Sequence, residues 1–470
     1  MFKSFKINTV FIFIGALILF NAVYFFEYLM PLHWLIINAI VIIFSILSFY
    51  KINIRWKEID RKLFGKKLFK LSLIINLISL GFVYLLCYLY NGTFFEPGAA
   101  DSVSYHTTGG VLAKNFGNGN YSLVQYLDVR DYSDYGYNVF LGTIYFIFGP
   151  YTLVARLFNV LFLTLTVNSI FKLTEIIYDL KIAKTASLLT AFTPLLLFFV
   201  GVNLKESVMI FLLVAATLFS VSILVANENS TKNFMFLVLS VILLFFFRTV
   251  LGVVFVSSFF VFYLVNLQAK NNSVRFFSII GVFACIIVIL FFLDDIGVTK
   301  NILRVYDHYD SQTDVELSDK ISRSSGVGLS VQKVLVIPLL FISVLIAPFS
   351  TMVFLDNQVQ IAWLSSGNLM KNIFAFYAIF GLWYSIKHFR KKAAIIICII
   401  IGYSLVIAIS AQSTSTRFQL VSLPFLNIFT AVGLHKLQED KIKYWHIYLF
   451  VIFIAIFAWN YFKLSIRNLI

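Results

Sequence analysis

Thirteen stretches of nearly unbroken apolar residues recur along this 470-residue chain, each close to the ~20 residues an α-helix needs to cross a bilayer. They are read at roughly 7-26, 32-50, 69-90, 152-177, 184-201, 207-226, 233-249, 250-268, 275-293, 371-388, 393-411, 418-434 and 444-462. No soluble core could hide so much apolar surface: 60% of the residues are hydrophobic, 18% aromatic and only 13% charged, with a mean hydropathy of +0.91. Segments such as 395-401 are apolar on every side, where a barrel strand would alternate, so helices are expected. The fold class is therefore an all-α polytopic membrane protein of about 13 transmembrane helices. Residues 7-26 lack a following small-residue cleavage site and run through Glu27 and Pro31 into the next span, so they read as a helix rather than a removed signal peptide.

Charge sets the orientation. Residues 51-70 carry Lys51, Arg55, Lys57, Arg61, Lys62, Lys66, Lys67 and Lys70 against Glu58 and Asp60, which marks the cytoplasmic side. Counting spans onward puts Lys181 and Lys184, the 227-232 turn, Lys270 and Arg275, Lys387 to Lys392, and His435 to Lys443 on that same side. The +15 formal charge is then mainly a topology signal with a secondary attraction to anionic lipid headgroups, and no aromatic-basic face points to nucleic acid. The opposite side receives loops 91-137 and 294-333, which hold twelve of the 22 acids.

Four regions follow: two N-terminal spans and the basic loop over 1-68, a membrane core with outer loop 91-150 over 69-293, an acidic outer loop at 294-333, and a C-terminal membrane region at 334-470. Residues 334-354 are apolar enough to span, yet a single crossing there would put Lys387 to Lys392 outside. The stretch is read as a re-entrant or interfacial element broken near Pro338 and Pro348, or as half of a crossing completed by 357-366. Cys87, Cys285 and Cys398 fall inside spans, where they act as small apolar residues and form no disulfide or metal framework. No P-loop, GxSxG or HExxH motif occurs, and no repeat of 20-50 residues is visible.

The chemistry gathers in the first outer loop. Glu96 to His106 is a polar, acidic run placed straight after a span, and a carboxylate beside a membrane is costly without a use. Asp101 leads the candidates, and it also reads as a helix N-cap. Asp128, Asp131 and Asp134 form a second acidic cluster, either a solvated face or ligands for a hard cation. Residues 138-149 are too short to span and are expected to lie flat at the interface, with Tyr and Phe at headgroup depth, so that a pair of interfacial helices in loop 91-150 frames a cavity.

Asp101-Ser102-x-x-Tyr105-His106, the Tyr137 to Gly149 segment, Ala155-Arg156-x-x-Asn159, Pro194 and Glu206 occur in an order that resembles the GT-C class of integral-membrane glycosyltransferases, which includes protein mannosyltransferases and lipid A aminoarabinose transferases. Thr416 to Pro424 is similar to that class's Arg-aromatic segment opening a late helix. The likeness covers mainly 85-226 and 411-434, and it departs from the class in two ways. No second acid stands beside Asp101, so a paired acid must come from Glu96 or from 128-134, and two extra spans precede the first shared one.

The resemblance implies transfer of a sugar from a polyprenyl-phosphate carrier to a glycan, lipid or protein acceptor, on the extracytoplasmic face of a bacterial inner or plasma membrane. Asp101 and Glu206 would then be catalytic, with Tyr105, His106, Lys205, Arg248 and Arg417 binding substrate. A divalent cation is the candidate cofactor, with Asp101, Asp128, Asp131 and Asp134 as its candidate ligands. Arg248 and Arg417 suit a lipid phosphate, whose oxygens a guanidinium meets bidentately. Simpler readings stand beside these: Lys205 and Glu206 as charges snorkelling outward from a turn, Arg248 and Arg417 as side chains snorkelling to headgroups, and His106 as an ordinary loop residue. An oligosaccharide repeat-unit polymerase of the O-antigen type is the alternative function, depending chiefly on arginines. A lipid-linked oligosaccharide transporter or flippase ranks third, since the charges sit at one face rather than at mid-membrane.

Overall fold

The computed structural model describes residues 5–96, 99–121, 135–226, 230–267, 343–354, 361–409 and 415–465. The expected span at 275-293, the acidic loop 294-333, and Asp128, Asp131 and Asp134 lie outside the described residues. Within them the chain is helical, without a named strand. Ten helices are long and apolar enough to cross a membrane, or eleven if one bent pair counts as a span. This is an integral, multi-pass membrane protein.

In order, the helices are α1 (Ile7–Tyr24), α2 (Leu32–Arg55), α3 (Arg61–Asn91), α4 (Ala100–Gly117), α5 (Tyr135–Phe148), α6 (Thr152–Ile177), α7 (Leu180–Ala191) and α8 (Pro194–Val200). Then come α9 (Glu206–Leu224), α10 (Thr231–Phe247), α11 (Thr249–Asn266), α12 (Ile361–His388), α13 (Arg390–Ile409), α14 (Thr416–Gln419), α15 (Leu423–Lys436) and α16 (Ile442–Ser465). Local chemistry sets several ends. Asp60 caps α3 by accepting from the Lys62 amide at 2.9 Å, and Gly92 closes that helix in the left-handed region at φ 64°. Asp179 caps α7 and Ser230 caps α10 in the same way.

Three expectations are corrected. The third span starts at Arg61, not near 69, because the Asp60 cap lets Lys62, Lys66, Lys67 and Lys70 ride on the first turns of the helix itself; the boundary drawn at 68/69 therefore falls inside α3. The expected span 184-201 is two helices bent by 52°, since Pro194 has no N–H to continue the ladder and starts α8 at its first position. Residues 361-366 are no separate half-crossing: without a proline to break it, the backbone runs on as α12 to His388.

Polar contacts define the two ends of the bundle. At one, Lys184 donates to the carbonyl of Lys57 at 2.9 Å, Arg61 pairs with Glu175 at 2.6 Å, Thr185 meets His435 at 2.9 Å, and Asn266 reaches the Lys391 carbonyl at 3.1 Å. The basic residues 51-62, 181-184, 387-392 and 436-443 gather there. The loops at the opposite end carry the acids considered below.

Residues 347-354 explain how a stretch that resisted the span count fits inside a bundle. A short helical turn at 343-346 gives way to extended backbone with a cis Ala347–Pro348 bond and an isolated bridge between Val353 and Leu29. Non-helical backbone at this depth needs protein partners, and helices supply them. Asn372 donates to the Ile346 and Pro348 carbonyls at 2.6 and 3.2 Å, and Asn460 accepts the Met352 amide at 2.8 Å. Lys371, half-buried in α12, donates to the Val344 carbonyl at 2.7 Å and also to Ala347 and Gln419. Residues 343-354 thus lie within protein, against the 28-30 connection between α1 and α2 and against α12 and α16; the rest of the stretch read as re-entrant, 334-342, lies outside the described residues.

Candidate functional site

Two helices, α4 and α5, lie in the 91-150 region. They pack side by side, Tyr105 of α4 edge-on to Tyr137 of α5 with ring centroids 5.1 Å apart. The interfacial expectation for α5 needs adjusting: Tyr135 and Tyr137 are buried in protein, while Phe146, Ile147 and Phe148 at the far end stay exposed. The first turn of α5 is wedged against α10, and only its end is free to meet lipid.

Asp101 lies in the first turn of α4, but Ala99 is the residue preceding the helix, so Asp101 is not the N-cap. Its carboxylate instead sits in the positive end of the helix field and pairs with Arg417, the second residue of α14. The same guanidinium pairs through Nε with Glu206, the first residue of α9. Asp101 is 58% exposed and Glu206 only 4%, so Arg417 ties a solvent-facing acid to a buried one. Three sequence-distant candidates thus meet at one point.

The turn carrying Arg417 is anchored on several sides. The Tyr403 hydroxyl donates to the Phe418 carbonyl at 2.8 Å, and Lys371 donates to Gln419. Arg248 has extended backbone between α10 and α11 and lays its guanidinium 5.1 Å from the Phe418 ring centroid. Among the described residues no carboxylate pairs with it. Lys205 is 1% exposed, its Nζ 5.8 Å from the Tyr105 ring centroid.

A cavity of about 400 Å³ opens beside this cluster. Asp101 and Arg417 line it together with Glu96, Phe198, Phe199 and Leu364. Glu206 and Lys205 stand behind it, Tyr105 packs within its supporting wall, and Arg248 lies next door across Phe418. His106 is turned away toward α5, its Nδ1 2.9 Å from the Tyr145 hydroxyl.

Several supporting residues carried no role in the sequence reading. Asn203 bonds the Tyr137 hydroxyl at 3.2 Å and donates to the Ser102 carbonyl at 3.3 Å, locking α4 and α5 onto the 201-205 loop. Arg156 is fully buried and donates to the Phe94 carbonyl at 2.6 Å, and Asn159 donates to that of Val202 at 3.0 Å. The Ala155 to Asn159 pattern was the available signal for the last two. Asn203 had none.

Burial, and then the Arg156 charge, hold His106 below the ordinary value of 6.5. A histidine depressed in the folded state contributes stability above its unfolded pKa, and loses it as pH falls through the folded one. We therefore expect the melting temperature to drop between pH 7 and pH 5 by more in the wild type than in His106→Gln. Equal drops would show that His106 does not titrate in contact with α5.

Among the described residues no three His, Cys, Asp or Glu side chains converge to hold a metal ion. Asp101 is already engaged by Arg417. No family model matches the chain, and no curated protein matches it.

Proposed function

We propose that this chain is a membrane glycosyltransferase that moves a sugar from a polyprenyl-phosphate carrier to an acceptor on the extracytoplasmic face. The observation that carries the reading is Arg417, shared between exposed Asp101 and buried Glu206 at the rim of a cavity of about 400 Å³, a size usual for small-ligand sites. The basic residues at the opposite end orient this rim away from the cytoplasm. The GT-C likeness and the full count of thirteen crossings belong to the same proposal.

In that reaction the bond between the anomeric carbon and the carrier phosphate oxygen breaks, and a bond to the acceptor oxygen forms. Arg417 engages only Oδ2 of Asp101, which leaves Oδ1 for the acceptor hydroxyl whose proton the carboxylate takes. Glu206 fixes Arg417 from behind. Arg248, held on Phe418 without an acid partner among the described residues, meets the charge that develops on the departing lipid phosphate.

The guanidinium of Arg248 also suits the second reading, a repeat-unit polymerase, whose substrates carry a diphosphate. Radiolabelled sugar transfer in membranes separates the two. Asp101→Asn is expected to lower transfer about 100-fold and Arg248→Ala about tenfold or more, at matched expression. Full transfer by both variants removes the assignment. Loss of glycan chain length with single-unit addition intact would favour the polymerase.

A further inference from the structure

The cavity wall contains a second carboxylate, beside Asp101, that this transfer step leaves unused. Glu96 is buried at 9% exposure, on the strap that joins α3 to α4. The Ser102 hydroxyl, itself fully buried, donates to Glu96 Oε1. Glu96 Oε2 has no hydrogen-bond partner among the described residues. A buried acceptor left unmade is expensive, the more so when ionised.

The strap is anchored just before Glu96. Arg156 donates to the Phe94 carbonyl and lies 5.1 Å from the Tyr84 ring centroid and 5.9 Å from that of Phe95. Phe94 in turn stacks on Tyr84, with centroids 4.3 Å apart. Arg156 Nε and Nη1 are also buried without partners among the described residues, which leaves a cation beneath the strap to offset the Glu96 charge.

We propose that Glu96 is the residue by which the cavity selects the sugar on the carrier lipid, its carboxylate accepting a hydrogen bond from a sugar hydroxyl. This rests on the transferase reading above. Ligand pockets are mostly apolar with a few placed polar groups, and here Phe198, Phe199 and Leu364 supply the apolar wall while Glu96 supplies the polar group. Exposed Asp101 is left to meet the acceptor, which arrives last. A turn of the Glu96 carboxylate lets a hydroxyl complete the set that Ser102 leaves half filled. Arg156 is the positioning residue that keeps the strap in place.

The experiment titrates the purified full chain in lipid nanodiscs with undecaprenyl phosphate, and with undecaprenyl phosphate carrying glucose, mannose, galactose or arabinose. The wild type is expected to bind at least one sugar-bearing lipid about tenfold more tightly than the bare phosphate lipid, the worth of one hydrogen bond to a charged group. Glu96→Gln should erase that preference while leaving bare-lipid affinity unchanged, and Glu96→Asp should retain part of it. Arg248→Ala should weaken every lipid alike.

A preference that survives Glu96→Gln, a wild type with no sugar preference, or a Glu96→Gln variant that loses bare-lipid affinity as well each overturns the role of Glu96 while the transferase reading stands. A wild type that binds none of these lipids overturns both.

Discussion

Replacing Arg417 by alanine is expected to cost about 3–5 kcal/mol of stability and to lower sugar transfer at least a thousandfold. Stability is lost because Glu206 is 4% exposed and Arg417 is its partner; removing the cation strands a buried carboxylate. Activity is lost because the same guanidinium orients Asp101 at the cavity rim. The two losses can be separated. Arg417→Ala combined with Glu206→Gln should recover most of the stability, since the stranded carboxylate is gone, yet stay inactive. Asp101→Asn should leave unfolding nearly unchanged, because an exposed acid contributes little to it, while transfer still falls. Arg417→Lys should rescue neither property fully, since one ammonium cannot reproduce two differently directed N–H donors. Wild-type unfolding and transfer in Arg417→Ala would sink the proposed centre.

The second large effect lies far from the cavity. Helices α12 and α15 run the same way and cross at Gly381 and Gly433. A Cβ built on Gly433 would lie 2.1 Å from the Tyr377 carbonyl oxygen, and one on Gly381 1.9 Å from that of Phe429. Both obstacles are helix backbone, so neither can rotate aside. Glycine inside a helix is otherwise about 1 kcal/mol worse than alanine, so Gly433→Ala would stabilise the protein if there were room. Overpacking decides the sign instead, and Gly433→Ala is expected to lose about 3 kcal/mol or more, with Gly433→Leu failing to survive detergent extraction as a monodisperse species. The site should suffer with it, because the Arg417 turn leads directly into α15. An alanine variant that melts at or above the wild-type temperature would show that the two backbones do not approach so closely.

How much of this was legible beforehand differs by type of feature. The helices were read well because a bilayer leaves the backbone one local solution for each apolar stretch, and twelve of the expected spans overlap described helices. Ends were read less well where a cap or a proline acted: Asp60 moved the start of α3 outward, and Pro194 split one span in two. Asp101, Glu206, Arg248 and Arg417 stood out because charge is scarce in such a chain and expensive beside lipid. Glu96 entered only as a possible second acid, and nothing in its neighbours marks an oxygen left without a partner.

Amino-acid order alone settled that this chain crosses a membrane many times, which end collects its basic residues, and which few charged side chains need explaining. Those properties depend on runs of neighbouring residues and on the cost of placing polar groups in hydrocarbon. Packing in three dimensions settled who meets whom. Arg417 finds Asp101 across 316 positions and Glu206 across 211, whereas Arg156 grips the strap below Glu96 and Arg248 rests on a ring. Such pairings follow from how closely helices approach and at what depth their ends fall, and no local pattern records that.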